Sequence, residues 1–274
     1  RHDPERFVAQ GHSGLQDRCL MARAFIANSN HASFGDTADF DSASSCTWAG
    51  WMKFIALSND VRVWSKWGAS SSDSAFIVNQ NTGGKIGLAL RSQETEALLY
   101  KETSSPCVAI NRWTHIILEW TGGTSIAIYA DAVSQPISSI VNNSVGTIRN
   151  AAIAEAVGKD PLNNNGALGI YDAFAAWKNV TLTQGEKAEL AAGADPATIR
   201  PAALIALPTF ERSGAVWDRK RGIVAALTGT LEAETGAPLR ALDGANFDDD
   251  DEMAAAAPPA SVKVPWHALH RRAA

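Results

Sequence analysis

This chain is poor in the residue patterns that mark sulfur, metal or hydrolytic chemistry. Cysteine occurs three times, at Cys19, Cys46 and Cys107. An odd and sparse set, with no CxxC and no Cys/His ligand spacing, excludes a dense disulfide scaffold and a structural zinc site. One pair could bridge, and spacing does not choose which; free thiols packed as small hydrophobes are the plainer expectation. No apolar run approaches the roughly 18 residues of a membrane helix. The formal net charge is −5, with both signs mixed along the chain and no basic stripe, so nucleic acid is excluded as a partner. GxSxG, HExxH, a phosphate loop and a dinucleotide fingerprint are all missing. The chain opens on Arg1 rather than Met and on no apolar leader core, which reads either as a processed terminus or as an arbitrary boundary of a longer sequence.

Hydrophobic residues, at 46% of the chain, suffice for a full core. From Cys19 onward they come in short segments separated by Gly, Asn, Asp and Ser clusters, the punctuation of an all-β domain. Period-two alternation places Trp48, Gly50, Met52 and Phe54 on one strand face, and Ile86, Leu88 and Leu90 on another. Thr114, Ile116, Leu118 and Trp120 share a third face, whose reverse (Trp113, His115, Ile117, Glu119) is mixed rather than polar. Ile126, Ile128 and Ala130 follow the Gly122-Gly123 turn. Ser-rich Lys66–Asp73 and Asn/Gly-rich Asn79–Gly84 read as loops. One helix is signalled: Thr183 and Glu186 form a capping-box pair, and the run through Leu190 stops at Gly193. The predicted organisation is an arm over residues 1–24, a sandwich over 25–200, further strands over 201–240 and a tail over 241–274. The tail carries the acidic run Asp248–Glu252 and a basic end, a composition that does not order alone.

The order of segments resembles the laminin-G-like, concanavalin A-like lectin/glucanase jelly-roll superfamily. Asn30-His31-Ala32-Ser33-Phe34 with Phe40 is similar to its opening strand. Thr47-Trp48-Ala49-Gly50-Trp51-Met52-Lys53 resembles its aromatic strand. Arg112–Leu118 followed by Ile126–Asp131 resembles its central hairpin. Ile170–Phe174, Trp177-Lys178-Asn179 and Leu182–Glu186 resemble its closing segment. Ala132 departs from the usual turn glycine. Residues 203–240 resemble a strand that ordinarily opens such a domain, which implies either sheet completion or a truncated second repeat. The resemblance implies an all-β antiparallel jelly-roll sandwich with extended N- and C-terminal arms and one short helix.

Glucanases of that superfamily carry ExDxE or ExDxxE, which points alternate carboxylates into one cleft. Nothing here matches. Glu94-Thr95-Glu96 lacks the third acid and reads as a solvated turn, and His115 as a packed strand residue, so no catalytic residue is assigned. Sugar recognition uses exposed aromatic faces beside hydrogen-bonding amides and carboxylates. Of nine tryptophans, Trp67 is the candidate platform, because it sits at a strand end beside Gly68; Asn81 and Asn164 are the candidate amides. Trp48, Trp51, Trp113 and Trp120 read as core. No cofactor is expected; calcium is the one ion left open, with Asp131, Asp160 and Asn163 as loop ligands, residues equally suited to turns. Two functions follow. The first is a non-enzymatic subunit of a virion or similar surface assembly, joined to its own copies and other subunits through residues 1–24 and 241–274. The second is a secreted, extracellular carbohydrate-binding module with glycans as partners.

Overall fold

A computed structural model describes residues 21–58, 60–159, 165–210, 215–229 and 231–235. In chain order its strands are β1 (Met21–Phe25), β2 (His31–Gly35), β3 (Cys46–Phe54), β4 (Val61–Trp67), β5 (Ser74–Asn81), β6 (Lys85–Arg91) and β7 (Leu98–Thr103). Next come β8 (Trp113–Trp120), β9 (Ile126–Ala130), β10 (Val133–Ser134), β11 (Ile137–Asn142), β12 (Glu155–Val157), β13 (Gly169–Lys178) and helix α1 (Gln184–Ala191). The chain continues with β14 (Leu204–Ala206), β15 (Pro208–Thr209), β16 (Trp217–Asp218), β17 (Ile223–Val224), β18 (Ala226–Thr228) and β19 (Glu232–Thr235).

Two antiparallel sheets stack face to face. The first runs β10-β9-β8-β3-β13-β1-β19 with β14 beside β13, and the second runs β11-β7-β6-β5-β4-β12-β2-β18. The alternating faces read from sequence meet between them: Trp48, Met52 and Phe54 of β3 and Ile116, Leu118 and Trp120 of β8 share one core with Ile86, Leu88 and Leu90 of β6. Phe174 stacks on Trp64 across the two sheets at 5.6 Å. Gly50 makes room for it, since a Cβ there would fall 2.0 Å from the Phe174 ring. Burying each such aromatic contributes on the order of 2–3 kcal/mol.

The mixed reverse face of β8 has a physical explanation. Helix α1 and the segment after it cover that side, so Ile117, Trp177, Leu190 and Leu204 form a second apolar cluster. Glu119 is buried there because it accepts the Leu182 N–H at 2.8 Å and pairs with Lys187 at 2.7 Å. His115 packs on Trp51 at 5.2 Å, and burial depresses its pKa to about 3, so the imidazole is neutral. The capping box forms as expected, with the Glu186 carboxylate accepting the Thr183 N–H at 2.7 Å. Cys46 and Cys107 are free thiols, and burial pushes both upward in pKa; Cys19 lies outside the described residues.

Three boundaries differ from the sequence reading. Strand β1 starts at Met21, inside the span read as an arm, because it pairs with both β13 and β19. Lys66 and Trp67 belong to β4 rather than to the Ser-rich loop. The Lys66 ammonium is fully buried and pairs with Asp36 at 3.0 Å and Asp41 at 3.2 Å. Asn79–Asn81 continue β5 against β6, and only Thr82–Gly84 turn, because cross-strand pairing overrides the weak strand propensity of asparagine.

Residues 204–235 complete both sheets: β14 and β19 join the first, β18 pairs with β2 in the second, and β15–β17 form a small sheet between. A buried charge cluster fixes this strap. Arg221 pairs with Glu155 and Asp39, each at 2.8 Å, and with Asp218 at 3.1 Å. Glu155 also accepts from Trp64 Nε1 at 2.8 Å and Thr37 Oγ1 at 2.6 Å. Asp218 accepts the backbone N–H groups of Leu207, Lys220 and Arg221 at 3.0–3.1 Å. Burial pushes the carboxyls of Glu155 and Asp218 up, with Arg221 opposing.

Candidate functional site

In the second sheet Phe76, Val78, Ile86, Leu88, Leu90 and Leu99 point into the core. Period two therefore turns Asn79 and Asn81 of β5, Lys85 and Gly87 of β6, and Tyr100 and Glu102 of β7 to the outer face. There they border a depression of about 340 Å³ lined by Asp60, Asn81, Thr82, Lys85, Tyr100, Glu102 and Ile140.

The centre of the arrangement is the Tyr100 ring. Its hydroxyl reaches across β6 to β5, lying 3.2 Å from Asn79 Nδ2 and within hydrogen-bond distance of Asn81 Nδ2. This is feasible because Gly87 lies underneath: a Cβ at that position would fall 2.9 Å from Tyr100 Cε2 and 2.5 Å from Asn79 Oδ1. The ring thus reaches across the sheet over a glycine and lines the depression. Burial pushes the phenol up in pKa, only partly offset by the Asn79 and Asn81 amides, so Tyr100 stays a hydroxyl donor.

The polar rim is charge-balanced and mutually braced. Glu102 accepts from Tyr100 Oη at 3.3 Å and from Asn81 Nδ2, and pairs with Lys85 at 3.2 Å. Asp60 pairs with Arg62 and accepts from Asn79 Nδ2 at 3.1 Å. Asn81 also receives Asn79 Nδ2 at 3.2 Å. Such a set holds several amide, carboxylate and ammonium groups in fixed geometry beside a flat ring.

Of the sequence candidates, Asn81 lines this depression. Trp67 lies elsewhere on the same outer face, half-buried, with the Arg91 guanidinium 5.4 Å from its ring centroid. Asp131 has a turn role: its φ is +50°, its carboxylate accepts the His115 N–H at 2.9 Å, and it pairs with Arg112 at 3.2 Å. Asn164, Asp160 and Asn163 lie outside the described residues. Among the described residues no group of three His, Cys, Asp or Glu is placed to hold a metal ion. Glu94 is a braced turn residue: hydrogen bonds from Ser92 and Thr147 hold its carboxyl at about 2. Asp60, Lys85, Tyr100 and Glu102 escaped the sequence reading. The alternation that put Ile86, Leu88 and Leu90 inside also turned Lys85 and Gly87 outward, and that signal would have found the face.

Comparison with known proteins supports the architecture. Residues 27–186 match the family described as the concanavalin A-like lectin/glucanases superfamily. A Bacteroides ovatus protein assigned provisionally as carbohydrate-binding superposes with a TM-score of 0.61 at 17% identity, over 81% of this chain and 62% of that one. The heptameric SAP-like pentraxin of Limulus polyphemus superposes with a TM-score of 0.57 at 16% identity, over 81% of this chain and 98% of that one. This chain thus spans less than two thirds of the Bacteroides protein. No curated protein matches.

Proposed function

The chain belongs to the concanavalin A-like lectin/glucanase superfamily, and we propose that it serves there as a non-catalytic, extracellular carbohydrate-binding module. The observation that carries this reading is the Tyr100 ring laid over Gly87 and surrounded by Asn81, Glu102, Asp60 and Lys85. A pyranose presents an apolar C–H face to stack on such a ring and equatorial hydroxyls to share among amides and carboxylates. The two rim carboxylates each face a cation, Arg62 or Lys85, and so suit hydroxyl recognition rather than a nucleophile and acid/base couple. The provisional assignment of the Bacteroides protein is in line with this reading. No helix among the described residues is long and apolar enough to cross a membrane.

The test is a glycan array followed by calorimetry on hits, with wild type and Tyr100→Ala. We expect saturable binding that Tyr100→Ala weakens at least tenfold while the melting temperature changes little. Binding unchanged by that substitution removes this site as the basis of the reading.

A role as an assembly subunit is the second reading. One observation favours it: Met21 pairs with Thr235, so the segments before β1 and after β19 join the sandwich side by side. At the other end of β1, Phe25 pairs with Gly169, and nearby Gly166 bridges Arg62 at the start of β4, beside the depression. Two-point attachment at one end would thus present the site at the other. Deleting residues 241–274 and measuring oligomeric state by light scattering tests this reading; an unchanged state rejects it for that segment.

A further inference from the structure

We infer that the glycan face has a second, anion-binding position at Arg91, and that the ligand is an acidic oligosaccharide. This rests on the carbohydrate reading above and adds the ligand's charge and minimum length.

Arg91 follows Leu90, which points into the core, so its side chain emerges on the same outer face as Lys85 and Gly87. It lies opposite Leu98 of β7, two residues along that strand from Tyr100. Its guanidinium is 5.4 Å from the centre of the Trp67 ring, and its Nη1 donates to the Glu96 carbonyl at 2.9 Å. These contacts hold the fork in place without neutralising it.

Among the described residues its charge is otherwise unmet. Six other described arginines, Arg62, Arg112, Arg149, Arg200, Arg219 and Arg221, each pair with a carboxylate. Among the described residues no carboxylate lies within ion-pair distance of Arg91. The nearby Glu96 carboxylate is engaged by Arg149 at 3.2 Å and by Ser71 Oγ at 2.6 Å. Arg91 Nε is buried and has no hydrogen-bond partner among the described residues. A positioned, half-buried guanidinium beside an indole, with no counter-charge among the described residues, is suited to recognising a planar or tetrahedral anion through its terminal Nη groups.

The separation sets the ligand's length. Gly87, under the Tyr100 ring, and Arg91 are four positions apart on β6, about 13 Å along the strand. Between them on this face lies Ala89, itself buried beside its cross-strand neighbours Ile77 and Tyr100, so a ligand crosses over these side chains rather than over Ala89 itself. A sugar stacked on Tyr100 thus reaches Arg91 only through a further residue of the same chain. The shared chemistry of the group bound at Arg91 is an anionic sugar substituent, a uronate carboxylate or a sulfate ester.

The experiment measures calorimetric affinity of the full chain for three probes: trigalacturonate, trigalactose as its uncharged counterpart, and sulfated trigalactose. Wild type should bind one or both anionic probes at least tenfold more tightly than the neutral one, with a preference that shrinks as salt rises. Arg91→Gln should erase that preference, bringing the affinities for the anionic probes down to that for trigalactose. Arg91→Lys, which keeps charge without the planar fork, should retain only part of the preference. Tyr100→Ala should weaken all three. Tighter binding of trigalacturonate alone assigns a carboxylate, and of the sulfated probe alone a sulfate. Equal affinities for all three in wild type, or a preference that survives Arg91→Gln, overturns the inference while leaving the glycan reading intact. No binding of any probe by wild type overturns it as well, and the glycan array then decides the reading beneath.

Discussion

Replacing Arg221 with Met should cost about 3 kcal/mol of stability at neutral pH, and the loss should shrink in acid. The reasoning starts from what the guanidinium faces. The side chains of Glu155 and Asp218 have no exposed surface, whereas that of Asp39 is 41% exposed. Met fills most of the space but leaves two fully buried carboxylates without their cation. Removing one partner of a buried ion pair typically costs about 3–5 kcal/mol. Two features hold the figure at the lower end. Glu155 keeps its hydrogen bonds from Thr37 and Trp64, and Asp218 keeps three backbone N–H donors, all of which survive the substitution. The solvated Asp39 adds little.

The pH dependence follows from the direction of the shifts. Burial already raises the carboxyls of Glu155 and Asp218, and Arg221 is what pulls them back down. Without it both rise further. A carboxyl whose folded pKa lies above its unfolded one binds more protons in the folded state, so its contribution is favourable at low pH and lost as pH rises through the folded value. The deficit of Arg221→Met relative to wild type should therefore be largest near neutrality and decline as pH falls toward the unfolded carboxylate range. Urea unfolding of both proteins at pH 7.5 and pH 5, followed by tryptophan fluorescence, reads both effects. A loss below about 1 kcal/mol at pH 7.5, or a deficit that grows on acidification, would refute the argument from buried charge.

Three further outcomes are expected. Gly87→Ala should push the Tyr100 ring off the sheet and weaken glycan binding at least tenfold, measured by calorimetry; unchanged affinity would show that the flat ring is not the platform. Phe174→Ala, which empties a side chain packed on Trp64, Tyr171 and Phe210, should cost about 3–5 kcal/mol in urea unfolding. Thr183→Ala removes the helix cap and should cost about 1 kcal/mol; a loss within error would mean that packing of Leu190 alone sets that helix.

The core was legible in the sequence because its rule is local: alternate residues of β3, β6 and β8 point one way, and the apolar ones name the inside. The α1 cap was legible for the same reason, since Thr183 and Glu186 speak to each other over three positions. The site was less so. Trp67 was picked for its place at a strand end and Asn81 as an amide, yet they sit at different places on one sheet face, and the residue that organises the depression is Tyr100, whose neighbours Asn79, Asn81 and Gly87 lie on two other strands. Strand register, set by turns and by the buried face, decides that meeting. The role of residues 204–235 was ambiguous for a similar reason: sheet completion and a second repeat share one local pattern, and only the pairing of β18 with β2 and of β19 with β1 separates them.

The pairing of Met21 with Thr235 also has a mechanical meaning. Because the chain enters β1 and leaves β19 at adjacent points, tension applied between the two flanks pulls these strands apart from their ends. The load then falls on one hydrogen-bonded pair at a time instead of on the whole ladder at once. The first structure lost is the edge β19, then β1, both in the first sheet, while Tyr100 and its companions sit on β5–β7 of the second. Under such a pull the chain should peel at β19 and β1 at low force and keep the Tyr100 face until the core itself gives way.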